Sequence, residues 1–164
     1  VNLLLPATLK EGLHKLFLSL DGRAGPVVDV RIAAAAPGLF LQQPGLAIAV
    51  RLDGSLVNAE NPAHPGDTII LFATGLGVIS GPAQRVGEIA AGAAVLAAAD
   101  RFNVRLNGRA VPRDHIYYAG LAPGFAGLYQ INLRLPDDTP RDPEIRLDAV
   151  SGIESPSGVS LPVQ

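Results

Sequence analysis

Three dipeptides, Asp21-Gly22, Asp53-Gly54 and Asn107-Gly108, separate short stretches in which apolar residues recur at every second position. Period-two alternation puts side chains on opposite faces of an extended chain, and an Asx-Gly pair supplies the left-handed positions that close a two-residue hairpin. Leu16, Leu18 and Leu20 lead into the first turn, and Val28, Val30 and Ile32 lead out of it. Residues 33–37 read as a connector ended by Pro37-Gly38. A second hairpin, 47–52 with 55–58, surrounds Asp53-Gly54, and Asn61-Pro62 and Pro65-Gly66 mark a loop before residues 68–74. That run is nearly all apolar, which predicts a strand buried on both faces. Residues 90–99 have the highest helix propensity of the chain, but Gly92 interrupts them and they lack a polar face. They read as a helical turn or an apolar loop lying on the sandwich. Phe102, Val104 and Leu106 alternate into Asn107-Gly108, Ala110-Val111 starts the return, and further strands are expected at 116–119, 128–135, 144–150 and 159–163. Short strands at this spacing predict an all-β sandwich with little helix.

Composition bounds what such a sandwich does. With 18 Gly and 14 Pro in 164 residues, 48% hydrophobic and 17% charged, the chain is globular and turn-rich. Two complete domains would be cramped. A formal charge of -2, with Lys10 and Lys15 the only lysines, gives no basic stripe for nucleic acid. The absence of cysteine removes disulfides, thiolate metal sites and Cys nucleophiles. Residues 89–99 are too short and too Ala/Gly-rich to cross a bilayer, which takes roughly 20 apolar residues, so no membrane insertion is expected.

The chain also repeats itself. Val1-Asn2-Leu3-Leu4-Leu5-Pro6 returns as Ile131-Asn132-Leu133-Arg134-Leu135-Pro136, each time before a polar turn and a strand-like run. Internal repetition points to modular arrays, whose units are more often scaffolds and adhesins than catalysts. The chain divides on this reading into residues 1–36, the closing strands of a preceding module, and residues 37–164, a sandwich module. Such leading strands expose backbone edges and an apolar face. They would fold back on their own sandwich or add to another subunit by strand addition. A head-to-tail contact between identical subunits would build an open fibre. The candidate association residues are Leu3, Leu5, Leu16, Leu18, Leu20, Val28, Val30 and Ile32.

The run from Pro65 to Gly77, the hairpin Val104-Arg105-Leu106-Asn107-Gly108-Arg109-Ala110-Val111 and the segment 131–136 resemble the IPT/TIG class of immunoglobulin-like domains. Residues 58–62, Phe72-Ala73-Thr74-Gly75-Leu76-Gly77 and above all Tyr118-Ala119-Gly120-Leu121-Ala122-Pro123-Gly124-Phe125-Ala126-Gly127-Leu128-Tyr129-Gln130-Ile131-Asn132 resemble the Solibacter-type uncharacterised C-terminal domain of large exported bacterial proteins. The resemblance implies an Ig-like fold and an extracellular or cell-surface setting, and it carries no catalytic residue with it. The chain departs from that pattern at its start, where the first Asn-x-x-Leu-Pro copy lacks the preceding Tyr-Ala-Gly loop.

Few residue groups suggest chemistry. Gly75-Leu76-Gly77-Val78-Ile79-Ser80 follows a strand, but Ser replaces the third glycine of a dinucleotide loop and a turn between strands is the expected reading. His14, His64 and His115 show no metal-ligand spacing, and Asp137-Asp138 with Asp142 lack the ligand pattern of a calcium loop. No Gly-x-Ser-x-Gly elbow is present. No catalytic residue, metal or cofactor is therefore expected. Tyr117, Tyr118, Phe125 and Tyr129 concentrate the aromatic residues; they serve either as the packing of the Pro123-Gly124 loop or, alternatively, as a glycan-stacking platform. The leading expectation is a non-enzymatic structural or interaction module. The alternative is a glycan- or ligand-binding accessory module of an extracellular enzyme or adhesin.

Overall fold

The computed structural model describes residues 3–6, 8–80, 89–150 and 152–164. In chain order the strands are β1 (Gly12–Leu16), β2 (Ser19–Leu20), β3 (Arg23–Ala24), β4 (Val28–Ile32), β5 (Gly38–Leu39), β6 (Leu41–Gln43), β7 (Leu46–Ala47) and β8 (Ala49–Arg51). They continue with β9 (Thr68–Thr74), β10 (Ala94–Val95), β11 (Asn103–Leu106), β12 (Arg109–Ala110), β13 (Ile116–Leu121), β14 (Tyr129–Arg134) and β15 (Ile145–Asp148). The fold is all-β and sandwich-like. Among the described residues one 3-10 turn, Arg113–His115, is the only helical element, and no helix is long and apolar enough to cross a membrane.

One layer runs β10-β13-β14-β9, with β5 and β8 both paired to the far edge of β9. The other runs β12-β11-β15 and is carried on by bridges from Ser160 to Glu144 on one side and to Leu46 of β7 on the other. Between them lies a core of strictly alternating residues: Ile69, Leu71 and Ala73 of β9, Ile131 and Leu133 of β14, Val104 of β11, and Ile145 and Leu147 of β15, all fully buried. Each large side chain buried this way contributes about 1.5–3 kcal/mol. The turns anticipated at Asp21-Gly22 and Asn107-Gly108 form, with positive φ at all four residues.

Three expectations need correction, and one strand pair has no counterpart among them. β9 is buried on one face only, because Ile70 and Phe72 lie across from Asn132 and Gln130 on the outer side, where those two amides hydrogen-bond to each other. The Ala-rich stretch is neither helix nor loop throughout: Ala94–Val95 forms the edge strand β10, whose backbone passes so close over Gly120 that any side chain there would strike the Ala94 carbonyl. β6 and β7, closed by Pro44-Gly45, were not foreseen. Finally, Leu3, Leu4 and Leu5 form no strand, and Leu4 rests instead where a Gly127 side chain would be. Pro6 cannot donate to a ladder, and the Leu9 N–H turns back to its carbonyl (3.1 Å). Val1 and Asn2, the start of the repeated segment, lie outside the described residues.

Candidate association surface

Residues 12–32 form an arm. β1 pairs antiparallel with β4 from Gly12↔Ile32 to Leu16↔Val28, and β2 pairs with β3 at the tip. Asp21 and Gly22 have φ of 50° and 76°, the two left-handed positions of a type I′ turn. Between the two ladders, residues 17–18 face residues 25–27, and the Gly25 N–H reaches the Leu18 carbonyl at 2.7 Å. Pro26 cannot donate, so the ladder breaks there and the period-two run through Leu16, Leu18 and Leu20 carries an irregularity the alternation did not announce.

Among the described residues no layer of the sandwich lies beneath the arm. In the described part of residues 3–34 no residue is buried, whereas the core cluster runs from Ala47 to Val163. More than half of the exposed large apolar side chains of the described chain lie before residue 29. Leu20 is 77% exposed, Val28 52%, Leu18 48%, Leu3 47% and Leu5 41%. Leu16, Val30 and Ile32 are half-buried. Leu16, Val28, Val30 and Ile32 share one face of the β1–β4 ladder with His14, whose Nε2–H donates to the Lys10 carbonyl (2.8 Å). The opposite face carries the Lys15–Asp29 ion pair (3.0 Å) and Arg31. One face is apolar but for His14, and the other is mainly polar, with Leu13 across from Arg31 as its apolar residue.

The root of the arm is clamped. Ala35 and Pro37 are buried, and the Ala36 N–H donates to the Gly75 carbonyl at 2.8 Å. Gly75 and Gly77 have φ of +70° and +103°, and the space their side chains would take is filled by the Ala36 and Ala34 carbonyls. The glycines that superficially suggest a phosphate loop are therefore a seat for the connector. Their sequence signal was present, but the partner they accommodate lies some forty residues upstream and could not be read from spacing.

The aromatic group is divided. The Tyr118 hydroxyl donates to the Leu121 carbonyl (2.7 Å) and accepts the Ala94 N–H (3.1 Å), strapping β10 to the sheet. The Tyr129 hydroxyl donates to the Gly77 carbonyl (2.5 Å), and burial pushes its ionisation above the ordinary value of 10.0. Tyr117, at an irregularity between Ile116 and Tyr118, and Phe125 are both 58% exposed but lie at opposite ends of β13. The strand between them spans roughly 15 Å.

Two of the histidines and two of the acids singled out in the sequence have charged neighbours. His115 accepts from Arg134 (3.3 Å), and His64 lies 3.6 Å from Asp67. Asp138 is held below the usual carboxylate range by the Arg109 guanidinium at 2.5 Å, and Asp137 pairs with Arg134 at 2.7 Å. Among the described residues no three acids or histidines converge as for a metal ion. Two clefts among the described residues hold about 110 Å³, between Leu39, Leu41 and Val159, and about 30 Å³, beside Arg109 and Thr139. Small-molecule sites run to roughly 300–1,000 Å³.

Comparison with protein-family models, with curated proteins and with solved structures gave no match.

Proposed function

We propose that the chain is a non-enzymatic structural or interaction module with an Ig-like, IPT/TIG-type sandwich, part of an exported bacterial protein at the cell surface, that associates through its N-terminal arm. Residues 1–36 carry the contact and residues 37–164 the scaffold; the partner is a neighbouring module or a second copy, and a head-to-tail array is the assembly such an arm builds. The observation that carries this reading is the arm itself: apolar on one face, without a layer of its own, yet fixed at its root by the Ala36–Gly75 contact. Exposed apolar surface on an ordered element marks an interaction site, and a fixed root reduces the ordering cost of binding. The glycan alternative would rest on Tyr117 and Phe125, the two exposed rings of the group, which lie at opposite ends of β13, while Tyr118 and Tyr129 are half-buried.

Sedimentation of the full chain across a concentration series tests the reading. Mass should rise with concentration, and Leu18→Asp with Val30→Asp should return it to the monomer. A chain that stays monomeric throughout would remove the self-association form of the proposal.

A further inference from the structure

The arm has a counterpart inside the same molecule. After β15 the Ile153 N–H reaches back to the Val150 carbonyl (3.0 Å) and the chain returns antiparallel, with the bridges Asp148↔Glu154 and Glu144↔Ser160 and the Ile145 N–H on the Val159 carbonyl (2.8 Å). This closing hairpin supplies Ile145, Leu147, Ala149, Leu161 and Val163 to the core, each at most 1% exposed. Laying the pair Leu16↔Val28 on Ile145 and Val159 brings Leu18 onto Leu147, Leu20 onto Ala149, Val30 onto Leu161 and Ile32 onto Val163. The cross-strand pair Lys15↔Asp29 then falls on the bridge Glu144↔Ser160. Each of the five positions Ile145, Leu147, Ala149, Leu161 and Val163 has an apolar residue in the arm, and the polar bridge keeps polar residues, whereas His14 falls on the buried Pro143 and Arg31 on the buried Pro162. The repeated Asn-x-x-Leu-Pro segment precedes each hairpin.

We infer that the arm is a donor closing hairpin, and that its partner is a sandwich of this chain's own kind whose closing hairpin is absent or displaced. The inference rests on the association reading above and names the surface the arm would cover: the dry face otherwise occupied by residues 144–163. Its own sandwich cannot receive it, because Ile145, Leu147 and Leu161 already fill that place. Charge agrees with shape. The face that would enter is apolar save for His14 at its edge, while Lys15 and Asp29 would lie outward, as Arg146 and Asp148 do on the closing hairpin. Strand addition of this kind joins main-chain pairing to side-chain burial, and its specificity comes from register, since a slip of one residue turns Leu16, Leu18, Leu20, Val28, Val30 and Ile32 outward. Phe17 and Leu13 depart from the match: they fall on Arg146 and Asp142, and so leave two apolar side chains on the outer face.

The test loosens the resident hairpin in the full chain while leaving the arm intact. Leu147→Asp with Leu161→Asp should open the receiving face, and light scattering after chromatography should then show at least a doubling of mass through arms donated between copies. Adding Val30→Asp should return that mass to the monomer. A loosened chain that remains monomeric, or one whose association ignores Val30→Asp, overturns the inference. Because the loosened chain can also fail to fold, a second variant keeps its resident hairpin but takes the sequence of residues 16–20 in place of 145–149, together with Leu161→Val and Val163→Ile. It should unfold cooperatively within about 10 °C of the natural chain. The same graft made with residues 15–19 places Lys and Ser inward and should melt far lower; equal melting of the two grafts overturns the inference. Should the natural chain associate through its arm while both grafts fail, the arm binds some other surface and only the partner assigned here is lost.

Discussion

The arm and the closing hairpin carry the same alternation and differ in what lies under them. Leu147 and Leu161 are fully buried against the sheet built on β9 and β14, whereas Leu18 and Leu20 are 48% and 77% exposed. Local sequence makes a two-faced ribbon in both places; only the facing layer turns the dry face into stability. Isolated hairpins are marginal in water for this reason. The arm persists on its turn, its ladder and its clamped root.

The contrast predicts its own largest asymmetry. Leu147→Ala leaves a cavity in the core and should cost about 2–5 kcal/mol. Leu18→Ala, at the corresponding place on the arm, should alter monomer stability by less than about 0.5 kcal/mol. Urea unfolding of both variants at a concentration where the chain is monomeric measures the difference. Similar losses at the two positions would mean that the arm packs on its own sandwich in solution.

The root of the arm comes next in size. At Gly75 a methyl group would run into the Ala36 carbonyl at a φ of +70°, so Gly75→Ala carries both a clash and backbone strain, about 1–3 kcal/mol. The core should relieve the clash by releasing the connector. Trypsin should then cut after Arg31 faster than in the natural chain, before the sandwich itself is attacked. Unchanged cleavage would show that the connector does not hold the arm.

Much of this architecture can be read in the sequence, and the unread part has a common cause. Asp21-Gly22 and Asn107-Gly108 announce their hairpins because left-handed residues at a turn are a local requirement, and Val104 and Leu106 announce β11 by period two. Ala94–Val95 gives no such sign, since its strand exists only by pairing with Gly120 and Leu121. The half-burial of Ile70 and Phe72 has no local sign either, because apolar content does not say whether a third layer is present. The candidate surface was visible as Leu16, Leu18, Leu20, Val28, Val30 and Ile32. Its kinship with residues 145–163 was not, because one strand of the closing hairpin mixes Arg146 and Asp148 with its apolar residues and the other holds Ser160 and Pro162. Only pairing and burial bring the two ribbons into register.

The wet faces should give the smallest effect and the finest test. On the closing hairpin Arg146 binds Glu154 at 2.9 Å and donates twice to the Ser155 carbonyl, at 2.9 and 3.1 Å, joining the two strands. Arg105 opposes Arg146 across the ladder, and its repulsion is offset by Asp148 at 3.0 Å and Glu154 at 3.3 Å. These side chains are about one-third exposed or less, so Arg146→Ala should cost about 1 kcal/mol after discounting for solvent. On the arm, Lys15 and Asp29 form a lone pair with side chains 73% and 55% exposed, and Lys15→Ala should change stability by no more than about 0.5 kcal/mol. Salt separates the two further: at about 1 M the screening length falls to roughly 3 Å, which removes the Lys15 contribution but spares the hydrogen bonds of Arg146 to the Ser155 carbonyl. A Lys15 effect as large as that of Arg146, and equally resistant to salt, would mean that the polar face of the arm is covered too, and the arm would then lie between two layers.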